Sequence, residues 1–286
     1  MIEIGNDQLR AAINPLGAEL TSLRDAGGRE LMTDADPAFW TGHAPILFPI
    51  VGRLNGDVLR LGGRDYPMKQ HGFARRSTFE VAAANDAHAL FRLTADDETR
   101  AQYPFGFVLE VGFTIRAATL IVDVAIANPG AAPLPASLGF HPAFAWPLPY
   151  GGAREDHRIL FAAAEPGAIV ALKDGLFAGT RPSPLEGREL RLTDALFAED
   201  ALIWDPVHSQ SVSYGPPGGP RLRIDFTGTP SLGIWTRPGA AFVCVEPWHG
   251  HADPAGFTGD FRDKPGVFEV APGDTWRSGM RVTLQE

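Results

Sequence analysis

Three residues of the types that transfer protons near neutral pH stand in unusually apolar surroundings. Glu246 follows the run 242–245, His141 follows the run 138–140, and His71 lies within Gln-His-Gly-Phe. Histidine titrates near pH 6.5, and a partly buried glutamate has a raised pKa that makes it a usable base. Together they predict acid–base chemistry on a neutral, polar substrate. Taken singly, each histidine is also compatible with a hydrogen-bonded core residue, and Glu246 with a strand end that faces solvent.

Glu246 needs a strand to position it, and residues 241–248 predict one. Phenylalanine, valine, cysteine and valine stand in a row there, with a proline–glycine breaker before them and Pro247 expected to end the strand. Because both alternating faces are apolar, we expect a central strand that is covered on both sides. The two-residue period places Glu246 on the same face as Phe242 and Cys244. Cys244 is predicted to be a small, buried packing residue.

The remainder of the chain has the pattern of many short strands. It contains 32 glycines and 25 prolines among 286 residues, with short apolar or alternating runs between them. Residues 119–127 alternate cleanly before an Asn-Pro-Gly turn, and residues 59–66 predict a hairpin with a Gly-Gly loop. Helical signals are confined to 96–102 and 34–40. The pattern predicts an all-β, antiparallel fold of two large sheets, in a single domain over residues 1–286.

Composition narrows the classes of partner and chemistry. The formal net charge of −9 argues against nucleic acid and against an anionic membrane surface, since both require concentrated Lys and Arg. The chain has neither a signal-peptide pattern nor a run of about 18 apolar residues, so we expect a cytoplasmic protein that does not span a membrane. Its one cysteine argues against a disulfide and a cysteine-based zinc site. Phosphate-loop, dinucleotide and serine-hydrolase motifs are absent.

Five segments resemble, in order, those of the aldose 1-epimerases (galactose mutarotases), and in particular a bacterial branch that carries His-Gly-Phe-Ala-Arg. They span most of the chain: APILFPIVGRL at 44–54, QHGFAR at 70–75, YPFGFVLEVGF at 103–113, GFHPAF at 139–144 and CVEPWHG at 244–250. The resemblance implies a β-supersandwich that interconverts the α and β anomers of a free aldose. It implies a small-molecule sugar as partner, neither cofactor nor metal, and a monomer or homodimer.

The resemblance also gives the three proton-transferring residues separate roles. Glu246 matches the family's base, which takes the proton from the O1 hydroxyl of the sugar. His141 matches the general acid that protonates the ring oxygen O5, and His71 matches a second histidine that holds and polarises the sugar. Removal of one proton and addition of the other opens the ring, and closure on the other face of the aldehyde reverses both transfers.

Further residues are expected to contact the sugar. Arg53 resembles the family's substrate-binding arginine, although this branch departs from the commoner Asn-Arg form. The family's sugar-binding aspartate best matches Asp200, with Asp205 as a rival. Arg75 is expected among the substrate-binding residues as well. The aromatic residues that could stack on a sugar ring, each of which also fits the core, are Phe73, Phe140, Trp235 and Trp248.

Two other functions stay open at this stage. A hexose-6-phosphate 1-epimerase would need a cationic pocket for the phosphate, to which Arg53, Arg75 and Arg76 could contribute. Against it, GFHPAF resembles the free-sugar branch more closely. A non-catalytic carbohydrate-binding protein would use stacking and hydrogen bonds without a matched acid and base. The catalytic residues touch only O1 and O5, so the sequence does not choose among the aldoses.

Overall fold

The computed structural model describes all 286 residues, and strands make up most of its regular structure. Its one α-helix is α1, Asp97–Gln102, and five single-turn 3₁₀ segments lie at 55–57, 74–76, 154–156, 194–197 and 261–263. The strands are β1 Ile2–Gly5, β2 Leu9–Asn14, β3 Glu19–Asp25, β4 Ile46–Leu47, β5 Val58–Leu61, β6 Arg64–Pro67, β7 Glu80–Ala84, β8 His88–Thr94, β9 Val108–Arg116, β10 Thr119–Ala127, β11 Leu134–Ala136, β12 Leu138–Phe140, β13 Ala143–Ala145, β14 Arg158–Phe161, β15 Ala168–Lys173, β16 Leu176–Pro182, β17 Glu189–Arg191, β18 Leu202–Trp204, β19 Ser211–Gly215, β20 Arg221–Asp225, β21 Ser231–Trp235, β22 Phe242–His249, β23 Phe268–Val270 and β24 Thr275–Gln285.

Two large antiparallel sheets form the body of the fold, as predicted. One has nine strands in the order β17-β14-β19-β20-β24-β10-β9-β8-β7, and the other has eight, in the order β16-β15-β18-β21-β22-β12-β4 with β13 also paired to β22. Both contribute to one core cluster of 61 buried residues, for example Phe113 and Val122 from the first sheet and Val243 and Val245 from the second. Alternate residues of β22 therefore point away from this core, toward the other face of the eight-stranded sheet.

The local sequence signals are realised closely in two places. In β10 the alternation puts Leu120, Val122 and Val124 in the core while Asp123 stays exposed. The hairpin β5–β6 turns at Gly62-Gly63, whose φ angles of 57° and 76° are those that a two-residue hairpin loop requires. Both predictions are confirmed.

Of the two predicted helices, only one forms. Helix α1 begins after Asp96, whose side chain accepts a hydrogen bond from the Thr99 N–H at 2.7 Å, as an N-cap does. The prediction of a helix at 34–40 is wrong. The chain makes a single turn there, in which the Asp36 carbonyl accepts from the N–H groups of Phe39 and Trp40, and then leaves helical geometry. The two aromatic side chains instead pack against an aromatic cluster of the eight-stranded sheet.

Strand β22 is central, as predicted, with β21 on one side and β12 and β13 on the other. The prediction that Pro247 ends it is wrong, because the strand continues to His249. The neighbouring chain leaves the ladder between β12 and β13, so Glu246 and Pro247 have no paired residue on that side. A proline is tolerated opposite this break, where no ladder hydrogen bond is lost. His141 lies within the break.

No helix of the structure is both long enough and apolar enough to cross a membrane.

Candidate active site

A cavity of about 510 Å³ opens on the face of the eight-stranded sheet that points away from the main core. This volume is in the range of small-molecule sites. Glu246, His141 and His71 all line it, so the structure brings together the three residues that the sequence predicts as catalytic. The other lining residues include Trp40, Gln70, Arg75, Phe177, Asp200, Trp235, Thr236, Arg237, Trp248 and Ala252.

The contact between His141 and Glu246 lies at the floor of this cavity. The Nε2 atom of His141 is 3.2 Å from Oε2 of Glu246, and both side chains are less than a tenth exposed. The contact follows from the break in the sheet. Glu246 has no ladder neighbour there, and the chain between β12 and β13 passes through the gap with His141 turned toward the carboxylate. A paired acid and base thus share one hydrogen-bond distance.

His71 approaches from a separate loop and is held in an unusual backbone conformation. Its φ is 65°, a region that costs energy for any residue other than glycine and that recurs at functional sites. The Gly52 N–H donates to its Nδ1 at 3.1 Å, so the neutral ring carries its proton on Nε2. Gly72, also at positive φ, lies against the Phe48 carbonyl, where a Cβ atom would clash. The rings of His71 and His141 stand 5.7 Å apart and nearly perpendicular.

Burial governs the protonation of this group. Removal from water and, to a smaller extent, the charge of Arg75 lower the pKa of His141 to about 3. Burial also places the pKa of His71 well below its ordinary value. The pKa of the Glu246 carboxyl is raised, first by burial and then by the negative charge of Asp200. Because burial disfavours charge, it shifts both members of the His141–Glu246 pair toward their uncharged forms, in which the carboxyl is protonated and the imidazole is not.

Aromatic side chains enclose the pair. Trp40 stacks on the His141 ring with centroids 4.9 Å apart, and Trp235 meets the same ring edge-on at 5.8 Å. Trp248 covers a further part of the cavity wall. Its ring lies over Gly233 of the neighbouring strand, where a Cβ atom would approach the ring to 2.8 Å. The cavity therefore combines apolar aromatic faces with polar and charged side chains, a combination that suits a small polar ligand.

The remaining predicted substrate-binding residues divide into two groups. Asp200 lines the cavity at its exposed rim, and the half-buried Arg75 also lines the cavity. Asp205, the rival of Asp200, lies instead 3.5 Å from the His251 ring, outside the cavity lining. Arg53 forms an ion pair with Asp57 at 2.8 Å, beside the cavity and not within it.

The aromatic predictions divide in the same way. Phe73 and Phe140 are buried in the main core and do not line the cavity, whereas Trp235 and Trp248 do. For Phe73 the reason is visible in its packing, since its ring contacts Phe48 edge-on at 5.9 Å.

Sequence reasoning missed several residues of the cavity. Trp40 and Arg237 lie outside the motifs, shortly before the segments 44–54 and 244–250, and Phe177 lies in the edge strand β16. The one available signal was Phe39-Trp40, two large aromatic residues in a short segment between breakers.

A further feature of the site concerns metal binding. His141, Cys244 and Glu246 present three potential ligand atoms that all lie within 4.8 Å of one another.

Comparison with known proteins identifies the family of the chain. The family model described as aldose 1-epimerase matches residues 1–282, and the chain belongs to that family. It is 32% identical over 295 residues to the chromosomal protein LacX of Lactococcus lactis subsp. lactis, with 99% of each chain covered.

Two solved structures from lactobacilli are similar along their whole length. A galactose mutarotase related enzyme from Lactobacillus acidophilus superposes with a TM-score of 0.92 at 31% identity, covering 99% of this chain and 97% of its own. A galactose mutarotase-like protein from Lactobacillus casei gives the same TM-score and identity, with both chains covered completely. The predicted family and the galactose mutarotase-like fold are confirmed.

Proposed function

We propose that the protein is an aldose 1-epimerase that interconverts the α and β anomers of a free aldose, with Glu246 as the base and His141 as the acid. The observation that carries the proposal is the 3.2 Å contact between these two buried side chains at the floor of an open cavity. A binding protein for sugars has no need of such a pair. Burial of two titratable groups costs stability, and the cavity gives them access to a ligand.

The proton inventory of the pair suits the reaction. Burial favours the neutral form, in which Glu246 is protonated and His141 is not, and transfer of that one proton across the contact gives the glutamate and imidazolium form. The carboxylate then removes the O1 proton while the imidazolium protonates O5, and the C1–O5 bond breaks to give the open aldehyde. After rotation about C1–C2, closure on the other face returns both protons. The pair begins and ends the cycle with one proton.

Other cavity residues supply the binding. Nε2 of His71 carries the proton and lies 3.3 Å from the Gln70 amide. A sugar oxygen that takes the place of this amide would accept the hydrogen bond and be polarised by it. Asp200 offers acceptor oxygens to hydroxyl groups at the rim. Trp235 and Trp248 provide apolar faces for the ring, and Trp40 keeps water from the His141 ring. This arrangement exposes the anomeric end of the sugar to the acid–base pair.

A mutarotation panel with purified protein tests the proposal. Freshly dissolved anomers of glucose, galactose and other free aldoses should equilibrate faster in the presence of the protein than in buffer alone, in proportion to its concentration. Binding of a sugar without acceleration of any anomer would replace the proposal with a carbohydrate-binding function.

A hexose-6-phosphate 1-epimerase is the second candidate, and one observation favours it. Arg75 and Arg237 both line the cavity, and neither guanidinium forms an ion pair or a side-chain hydrogen bond within the protein. Burial lowers the pKa of Arg75, with a further contribution from Arg76. Such unpaired arginines suit the oxygens of a phosphate.

The 6-phosphates of the same aldoses, added to the panel, separate the two candidates. A preference for the phosphates that disappears in Arg75→Met and in Arg237→Met would establish the second candidate. Exposed Arg64, which is remote from the cavity lining, offers a matched control as Arg64→Met. If Arg75→Met and Arg237→Met lost activity equally toward free and phosphorylated sugars, the two arginines would contribute to sugar binding in general and not to recognition of a phosphate.

A further inference from the structure

We propose that His141, Cys244 and Glu246 form a binding site for Zn²⁺, or a similarly thiophilic divalent ion, and that the ion reversibly inhibits the enzyme. The three residues offer an imidazole nitrogen, a sulfur and a carboxylate oxygen within 4.8 Å of one another. Nitrogen, sulfur and carboxylate ligands are those that Zn²⁺ binds, and three protein ligands leave one position open. The inhibitory consequence rests on the proposed function, whereas the binding site rests on the geometry alone.

Two of the three ligand atoms already stand at the separation that a metal site needs. Zinc binds these ligand types at about 2.0–2.3 Å, so the ligands of a tetrahedral site stand about 3.5 Å apart. His141 and Glu246 already meet this separation at 3.2 Å. Cys244 lies two positions before Glu246 on the same face of β22, and its sulfur lies within 4.8 Å of the other two ligand atoms, so it must move closer for all three to bind one ion. His141 and Glu246 both line the cavity, so an ion bound to them would have access to it.

The arrangement fits an inhibitory ion and not a resident one. Ligating histidines normally donate their second ring nitrogen to a carboxylate or carbonyl group, which strengthens the site. The Nδ1 atom of His141 is buried and has no hydrogen-bond partner. Binding is therefore expected to be reversible by a chelator. An ion here would occupy the nitrogen and the carboxylate that the proposed reaction uses for its two proton transfers.

The binding step has a defined proton balance. A thiolate and not a thiol binds the metal, so the Cys244 S–H loses its proton to solvent as the metal–sulfur bond forms. The proton shared by His141 and Glu246 is displaced as well. Affinity should consequently increase with pH, and the ion should compete with protons as well as with sugar.

Cobalt substitution and calorimetry on the full-length protein test the site without any activity measurement. Cys244 is the only cysteine of the chain, so a thiolate-to-cobalt charge-transfer absorption would identify its sulfur as the ligand. Titration with Zn²⁺ should give one site per chain, reversed by EDTA, while Mg²⁺, which prefers oxygen ligands, should not bind. In Cys244→Ala and Cys244→Ser the cobalt band should vanish, and Zn²⁺ affinity should fall by at least about tenfold.

Mutarotation measurements with the same variants test the inhibition. Zn²⁺ should slow mutarotation by the wild type, and both variants, which keep His141 and Glu246, should retain turnover and lose this sensitivity. Absence of the thiolate band from the wild type, or equal Zn²⁺ affinity in all three proteins, would overturn the site. Tight binding without inhibition would overturn the inhibitory role. A protein inactive on every sugar would refute the proposed function, and the absorption and calorimetry would still decide the site.

Discussion

Two buried polar clusters of this molecule contain the same residue types in opposite circumstances. The cavity cluster consists of His71, His141 and Glu246. The wall cluster consists of His251, Asp253 and Lys264, with the exposed Asp205 beside it, and these residues do not line the cavity. Both combine histidine with carboxylate in a nearly dry setting. Only the first opens onto a space in which a ligand fits.

The wall cluster makes several hydrogen bonds within the protein, although Oδ1 of Asp253 is buried without a partner. Lys264 donates to the His251 carbonyl, and the His251 Nδ1–H donates to the Ala252 carbonyl at 2.7 Å. Asp253 accepts from the Asn55 N–H at 2.8 Å. These bonds fix the segment that carries Ala252 into the cavity wall. Buried histidines and carboxylates therefore indicate chemistry here only where they face open space, and elsewhere they hold a loop in place.

The largest effect expected on the cavity side comes from His141→Asn. Loss of the acid for O5 should lower turnover by about 10²–10⁴-fold, the usual contribution of a positioned acid or base. The melting temperature should stay near that of the wild type, since the residue serves chemistry. Polarimetry and thermal melts check both. If the His141→Asn protein were fully active, the cavity cluster would have no catalytic role to distinguish it from the wall cluster.

Lys264→Met, in the wall cluster, is expected to lower stability and to leave turnover unchanged. Loss of the cation leaves a buried carbonyl unpaired and the charges of Asp253 and Asp205 less compensated, which should cost roughly 3 kcal/mol of unfolding free energy. Turnover per folded molecule should change little. Lys173→Met, at an exposed lysine, is the matched control and should leave both quantities unaltered. Urea unfolding and kinetics on the same samples measure both quantities. A Lys264→Met protein that lost activity but kept its stability would contradict the comparison.

A smaller effect is expected in the pH dependence of stability. The folded-state pKa of His141 is about 3, so between about pH 6.5 and pH 3 the unfolded chain binds a proton that the native chain does not. The free energy of unfolding therefore decreases as the pH is lowered through that window. Glu246 has a raised folded-state pKa, so its carboxyl binds a proton earlier in the native chain. This contribution stabilises at low pH and is lost as pH rises through that value.

The two contributions oppose one another in the wild type and separate in the variants. Between about pH 7 and pH 5, Glu246→Gln should lose more unfolding free energy than the wild type, and His141→Asn should lose less. Urea midpoints at the two pH values measure the differences. Parallel changes in all three proteins would show that neither group titrates as the buried pair requires.

Much of this site could be predicted from sequence because its elements have local signatures. The apolar run that ends in Glu246 identifies both a central strand and the face that carries the carboxylate, and His71 and His141 stand in equally local motifs. The segment resemblance then supplied their roles. The continuation of β22 through Pro247 was not predictable, since it depends on a break in the neighbouring strand.

The rest of the cavity depends on contacts between distant segments. Trp40 reaches His141 from a turn about 100 residues earlier, and no periodicity marks such a contact. Arg53 shows the opposite case. Its motif suggested substrate, but Asp57, one helical turn further along the chain, supplies a bidentate partner for the guanidinium.

Turnover of Glu246→Gln, measured beside its sugar affinity, tests the central claim most directly. The amide keeps the size of the side chain and its ability to accept a hydrogen bond, and it removes the base. After subtraction of spontaneous mutarotation, turnover should fall by about 10²–10⁴-fold while affinity changes little, and Glu269→Gln, at an exposed glutamate, should match the wild type. Near-normal turnover in the Glu246→Gln protein would contradict the account and would make Asp200, at the cavity rim, the candidate base.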